Sequence, residues 1–308
     1  TRISTLTRAA RVAMSHAAAS TKLEWRDTMV PVTSEEGVNV ERAVTSRKFN
    51  DWLHSLEGDM VLNSVHIQSV DMFGEHVGFI KFKAHVHLAS DPRKRRIPGI
   101  VFCRGHAVAV LVVLHCDGRR YVVLTSQARV PSGRAGLLEL PAGMIDEDSN
   151  FAGVAARELE EEAGISVSVE DMVNLTAIAY PSERAADGAS PFPGIYTSPG
   201  GSDEAVALYL HERAVPRAEL DALNGRIGGL REHGELITLR LVPLEELWKA
   251  TRDAKTLAAL CLYRELAAAG QIPTFGEDGE AAKGSGQEGC AAPASGDADG
   301  SPAKRKRK

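Results

Sequence analysis

Cysteine is scarce and scattered. The four that occur, Cys103, Cys116, Cys261 and Cys290, form no C-x-x-C pair. That excludes a zinc ribbon or a disulfide framework and leaves reduced thiols in an intracellular compartment as the expectation. Aromatic residues are thin at 5%. A basic excess is also missing: 36 Lys and Arg stand against 41 Asp and Glu, for a net charge of -5. A chain whose main task is to coat nucleic acid or an anionic membrane is therefore excluded, and no nucleic-acid partner is expected. No apolar run approaches the roughly 20 residues of a transmembrane helix. The longest, His106 to His115, reads as a strand, and no membrane partner is expected. What remains, 44% hydrophobic and 25% charged, is the composition of a soluble globular protein. At roughly 150 residues per domain the chain can hold about two folding units.

Residues 1–23 carry Arg2, Arg8, Arg11 and Lys22 among many Ser, Thr and Ala, with no acid before Glu24. The composition fits a chloroplast or mitochondrial transit segment or a solvated end. Residues 273–308 are rich in Gly, Ala, Ser and acids and finish in Lys304-Arg305-Lys306-Arg307-Lys308. They are expected to be disordered, because little apolar surface is available to offset the entropy of ordering; the basic end reads as a solvated charge run, or else as a nuclear address or a polyanion contact, with a cytoplasmic location as the other alternative. Between them, residues 24–99 contain alternating segments such as Val61–Val70 and His76–His87, which predict a small antiparallel β unit. From 100 to 272 the pattern mixes types. Strands are predicted at Ala107–Leu114, Tyr121–Ser126, Asn174–Ala179, Ala205–His211 and Leu236–Val242, with helices at Phe151–Ala163, Leu244–Ala250 and Ala254–Ala269. The fold class is α/β (α+β), a mixed sheet sandwiched between helices.

One segment carries chemistry: Gly143 to Ile165, GMIDEDSNFAGVAARELEEEAGI. Asp148 or Ser149 can N-cap its helix, and Gly164 supplies the permissive residue past its end. Glu158, Glu161 and Glu162 stand at i, i+3 and i+4, which puts them on one arc, while Ala156, Leu159 and Ala163 fall beside it for packing on the sheet. Carboxylates in a last helical turn oppose the macrodipole at a cost of roughly 0.3–1 kcal/mol each. A solvated acidic face is one reading and fits Glu160. For the other three a hard divalent cation, Mg²⁺ or Mn²⁺, is the missing counter-charge.

The same residues resemble the Nudix box, G-x5-E-x7-R-E-U-x-E-E-x-G-U with U apolar. Gly143, Arg157, Glu158, Leu159, Glu161, Glu162, Gly164 and Ile165 occupy its positions, and the departure is Ser149 at the first glutamate. The resemblance implies a Nudix fold in which Glu158, Glu161, Glu162 and the Ala142 carbonyl hold Mg²⁺. It also implies that Arg157 orients the glutamates and that a diphosphate linking a nucleoside to another group is hydrolysed. Further positions resemble the branch acting on ADP-ribose and ADP-sugars, most of all its plant-type members: Gln127, Arg129, Leu138-Glu139, Pro181, Ser198 to Glu204, Gly229 to Glu235 and Asp253 to Thr256.

On that resemblance Gln127, Arg129, Glu139 and Glu204 are candidates for substrate binding, Arg129 against a phosphate oxygen and Glu204 also as an extension of the metal shell. Glu161, Glu232 and Glu235 are candidates for the chemistry, with either loop glutamate as general base. Relatives exchange their N-terminal β unit between subunits and sandwich the adenine with it, which implies a homodimer and makes Trp52 and Phe73 candidate stackers, with a place in the core the stronger reading for each. The expected reaction is Mg²⁺-dependent cleavage of a nucleoside diphosphate sugar to AMP and a sugar phosphate. The alternatives are a non-catalytic ADP-ribose sensor of the same fold, or hydrolysis of another nucleotide such as NADH, a dinucleoside polyphosphate or an RNA cap.

Overall fold

A computed structural model describes residues 19–145, 151–181, 192, 194–229 and 236–273. The first unit is a five-stranded sheet in the order β1 (Ser20–Trp25), β2 (Thr28–Ser34), β3 (Met60–Phe73), β4 (His76–Leu88) and β5 (Ile100–Cys103). β3 and β4 form a long hairpin closed at Gly74, whose φ of 61 suits the tight connection. On β4, Ile80, Phe82, Ala84 and Val86 point inward and Lys81 and His85 outward, the predicted alternation. The inner face is covered by α1 (Val40–Thr45) and α2 (Arg47–Ser55). Asn39 caps the first by accepting from the Arg42 N–H at 3.0 Å, and Ser46 caps the second by accepting from that of Phe49 at 3.3 Å.

Two expectations for this unit are corrected. It is not purely antiparallel, because β2 pairs with β3 in parallel; the two helices form the crossover that a parallel pair needs. Trp52 lies in the core, the stronger of its two readings: it is 8% exposed, with its ring 4.5 Å from that of Phe82. The sheet also runs past residue 99, since β5 pairs with β4.

The second unit is a nine-stranded mixed sheet. Its central strands are β6 (Ala107–Cys116) and β7 (Arg119–Arg129), with β8 (Arg134–Glu139) and β9 (Ala142–Met144) following. β6 and β7 pair only from Val113 to Cys116 and then diverge. β9 fills in beside β6 at Ala107–Ala109, and β8 beside β7. Later come β10 (Val173–Asn174), β11 (Ile195–Tyr196), β12 (Ala205–Ala214), β13 (Ile227–Gly228) and β14 (Ile237–Pro243). β12 lies parallel to β6, and β14 antiparallel to β7.

All of β6 is buried, so its alternate residues feed two cores. Val108, Val110, Val112 and Leu114 pack against the helix α3 (Phe151–Glu158) and its continuation Leu159–Ala163. Ala107, Ala109, Leu111 and Val113 face the opposite layer, which contains α4 (Leu175–Ala179), α6 (Leu247–Ala250) and α7 (Ala254–Ala268). A further helix, α5 (Arg217–Leu223), joins the α3 side. Each fully buried leucine contributes roughly 1.5–3 kcal/mol, which fixes the register of the strand that carries β9. The sandwich is the one the sequence predicts. One element differs: Asn174–Ala179 was expected as a strand, but only Val173 and Asn174 pair. The Asn174 side chain then accepts from the Ala177 N–H at 2.9 Å and starts a helix.

Candidate active site

The acidic helix and β9 build the site together. α3 widens over Leu159–Ala163 into a turn of π geometry and stops at Gly164, which has φ 59 and donates to the Glu160 carbonyl at 2.9 Å. Ile165 donates to the Leu159 carbonyl at 3.2 Å. Leu159 and Ala163 are buried and Glu160 is exposed, as expected.

The end of α3 and the widened turn together present two carboxylates to one short strand. Glu162, 7% exposed, accepts through Oε2 from the Ala142 N–H at 3.2 Å. Glu158 lies over Gly143 so closely that a Cβ there would sit 1.8 Å from its Oε1. Gly143 is therefore the residue that lets a carboxylate rest on the backbone. Glu161 is exposed beside them. Among the described residues no three His, Cys, Asp or Glu side chains close into a finished cage; the structure brings together Glu158, Glu162 and the main chain of β9.

The end of α3 is braced from a second loop. Gly229 donates to the Glu161 carbonyl at 3.2 Å, and a Cβ on Gly228 would lie 2.0 Å from the Glu162 carbonyl oxygen. The Arg226 guanidinium packs against Gly164, where a Cβ would come within 2.3 Å of Nη2. This cation answers part of the macrodipole at the helix end, and the sequence reading missed it. The loop then runs into Glu232 and Glu235, which lie outside the described residues, as do Ser149 and the acids Asp146 to Asp148.

Residues 105–261 match the family model described as the NUDIX domain. The chain belongs to the Nudix family. It is 48% identical over 230 residues to "Nudix hydrolase 14, chloroplastic" of Arabidopsis thaliana, covering 72% of this chain and 71% of that protein. It is 30% identical over 161 residues to the "ADP-ribose pyrophosphatase" of Escherichia coli K12, covering 50% of this chain and 63% of that one. The Bacillus subtilis "ADP-ribose pyrophosphatase" is 30% identical over 159 residues, 50% of this chain and 69% of its own.

Around the Nudix glutamates the other expected site residues fall into separate groups. Arg129 and Glu139 pair with each other, Nε to Oε2 at 2.7 Å. Glu139 is buried, and Lys255 takes its other oxygen at 2.6 Å. Burial works to raise the Glu139 carboxyl, but Lys255 and Arg129 outweigh it and hold the group below the ordinary carboxylate range. A bulge between Gln127 and Arg129 turns the strand at this point, and Gln127 is half-buried opposite Leu137.

Glu204 accepts from Thr197 Oγ1 at 2.7 Å and pairs with Arg104 at 3.3 Å. Its neighbour Asp203 accepts from the Arg104 N–H at 2.8 Å and from the Cys103 thiol at 3.1 Å. Burial, with Asp203 second, pushes that thiol up. With the Phe102 N–H donating to the Gly201 carbonyl at 2.7 Å, these bonds fasten the Ser198–Glu204 turn to the first sheet. Arg157 is exposed and forms no ion pair among the described residues. Phe192, stacked on His106 at 4.2 Å and edge-on to Phe151 at 5.1 Å, covers the start of α3. Burial lowers the His106 imidazole. The long-range partners Arg104 and Arg226 carried no local signal beyond the glycines and turns they meet, and for Lys255 the resemblance marked the segment but not its contact with Glu139.

Proposed function

We propose that this protein hydrolyses the diphosphate of ADP-linked sugars, ADP-ribose and ADP-glucose, to AMP and the sugar phosphate. One observation carries the reading: Glu158 and Glu162 converge on Ala142–Gly143, with Gly143 cleared for a carboxylate. Family membership supports diphosphate hydrolysis at such a site, and the activity for which the bacterial relatives are named supports the ADP-linked class.

The donors fit a hard divalent cation: carboxylate oxygens of Glu158 and Glu162, with Glu161 alongside and the Ala142 carbonyl as a further oxygen. Mg²⁺ or Mn²⁺, when bound, supplies Lewis-acid neutralisation of the diphosphate oxygens. The chain's own residues do the rest. Arg129 binds a non-bridging phosphate oxygen, Glu139 holds Arg129, Gln127 lines the same strand, and Glu232 or Glu235 takes the proton of the attacking water. Glu204, tied to Arg104 and Thr197, shapes the wall formed by the Ser198–Glu204 turn.

Phe73 is 51% exposed and stands in a ladder of rings, 4.9 Å from Phe79, which lies 5.1 Å from Phe102. That open surface, with Ile100 59% exposed nearby, suits base stacking and contact with a second copy in a homodimer. Among the described residues no helix is long and apolar enough to cross a membrane. A plastid location is proposed from the basic, Ser- and Ala-rich residues 1–23 together with the chloroplastic relative.

The test is a substrate panel with Mg²⁺: ADP-ribose and ADP-glucose against NADH, a dinucleoside polyphosphate and capped RNA, read as AMP and sugar phosphate released. ADP-linked sugars are expected to turn over fastest. Preference for NADH or capped RNA would overturn the substrate class. Tight ADP-ribose binding with no turnover of any compound would identify a sensor instead.

A further inference from the structure

Lys255, near the start of α7, lies almost fully inside the protein. Its side chain is 12% exposed, and Nζ reaches Glu139 Oε1 at 2.6 Å and Asp253 Oδ1 at 3.0 Å. The other Asp253 oxygen caps α7, accepting from the Thr256 N–H at 3.1 Å and its hydroxyl at 2.6 Å. Thr256 Oγ1 accepts from the Leu140 N–H at 3.2 Å, and the Thr251 hydroxyl donates to the Leu138 carbonyl. The backbone on both sides of Glu139 is therefore clamped to the start of this helix.

A carboxylate has two oxygens, and here two cations divide them. Lys255 holds Oε1, which leaves Oε2 for Arg129 through Nε alone. The Arg129 side chain is 41% exposed, and its terminal amino groups make no hydrogen bond among the described residues. Without Lys255 the guanidinium would find both Glu139 oxygens open to its fork, and a two-bonded fork is the stronger geometry.

We infer that Lys255 is a positioning residue: by occupying one Glu139 oxygen it stops Arg129 from closing its fork on Glu139 and keeps the arginine's amino groups turned outward for a substrate phosphate. The inference rests on the ADP-linked substrate proposed above. Lys255→Met removes the ammonium and keeps the apolar stem. It is expected to raise KM for ADP-ribose about tenfold with kcat changed less than about threefold, and Lys255→Arg to restore KM to within about threefold. In an Arg129→Met background, Lys255→Met should add less than about twofold, because the residue it acts through is gone.

An unchanged KM, or an equal rise with Arg129 absent, overturns the inference. If Lys255→Met fails to fold, Lys255→Gln carries the same test. A readout without substrate separates this inference from the functional one. In NMR spectra of the free protein the terminal Arg129 N–H signals should be averaged by rotation in the wild type and resolved in Lys255→Met, where the closed fork arrests them. Averaged signals in both proteins overturn the inference, whereas a wild type inert toward every ADP-linked compound overturns the proposed function and leaves this readout standing.

Discussion

The two ends of β6 treat carboxylates in opposite ways. At its C-terminal end Glu212 Oε1 lies 2.6 Å from His115 Nε2 and 2.9 Å from the Tyr263 hydroxyl, with all three side chains buried. Burial, and then Glu212 beside it, pushes the Tyr263 phenol up to about 12. Both contacts fall on Oε1 and are made inside the fold. At the N-terminal end Ala109 pairs with Ala142, and there Glu158 and Glu162 gather on one short strand at the negative end of a helix. That arrangement spends stability. A fold optimised only to persist would not place like charges there, which is why the proposed chemistry is assigned to the second end and a structural role to the first.

The sharpest break of this contrast is Glu162→Gln. Turnover of ADP-ribose should fall at least about a thousandfold while the thermal midpoint stays or rises, because a like charge is removed; calorimetry and AMP release check both. Gly143→Ala comes next. Its new Cβ displaces the Glu158 carboxylate, and about a hundredfold loss of kcat is expected with an intact fold, read by the same assay beside far-UV circular dichroism. At the other end of β6 the outcomes exchange places: Glu212→Gln breaks a buried pair and should cost about 3–5 kcal/mol in denaturant unfolding while leaving kcat within about twofold.

The smallest effect concerns acid stability. The native carboxyl of Glu139 titrates below its ordinary 4.5. Its contribution is therefore fully present above that value and is lost as pH falls through the lowered native value. Glu139→Gln should flatten that part of the curve, measured as urea midpoints from about pH 6 to about pH 3. An unchanged acid slope would show that Lys255 and Arg129 do not hold the charge.

Much of this contrast was legible in the sequence. The apolar length of β6, the Gly164 stop and the spacing of the three glutamates are local signals, and local physics decodes them. What escaped is short or long-range. α1 and α2 are six and nine residues long, too brief for a helical period to stand out. Asn174 starts a helix where hydrophobicity suggested a strand. Lys255 meets Glu139, and Arg226 meets Gly164, across wide sequence separations that no window of residues spans. For Arg157 the orienting role came from its place in the box alone, and its side chain is exposed.

The central claim is that Glu158 and Glu162, gathered on β9, hold a divalent cation against a diphosphate. Mn²⁺ titration followed by electron paramagnetic resonance, with and without a non-hydrolysable ADP-ribose analogue, tests it directly. Tightly bound Mn²⁺ in the wild type with the analogue present, lost in Glu162→Gln and retained in Glu212→Gln, is the predicted result. Absence of bound Mn²⁺ in the wild type with the analogue in place, or equal binding in all three proteins, would contradict it.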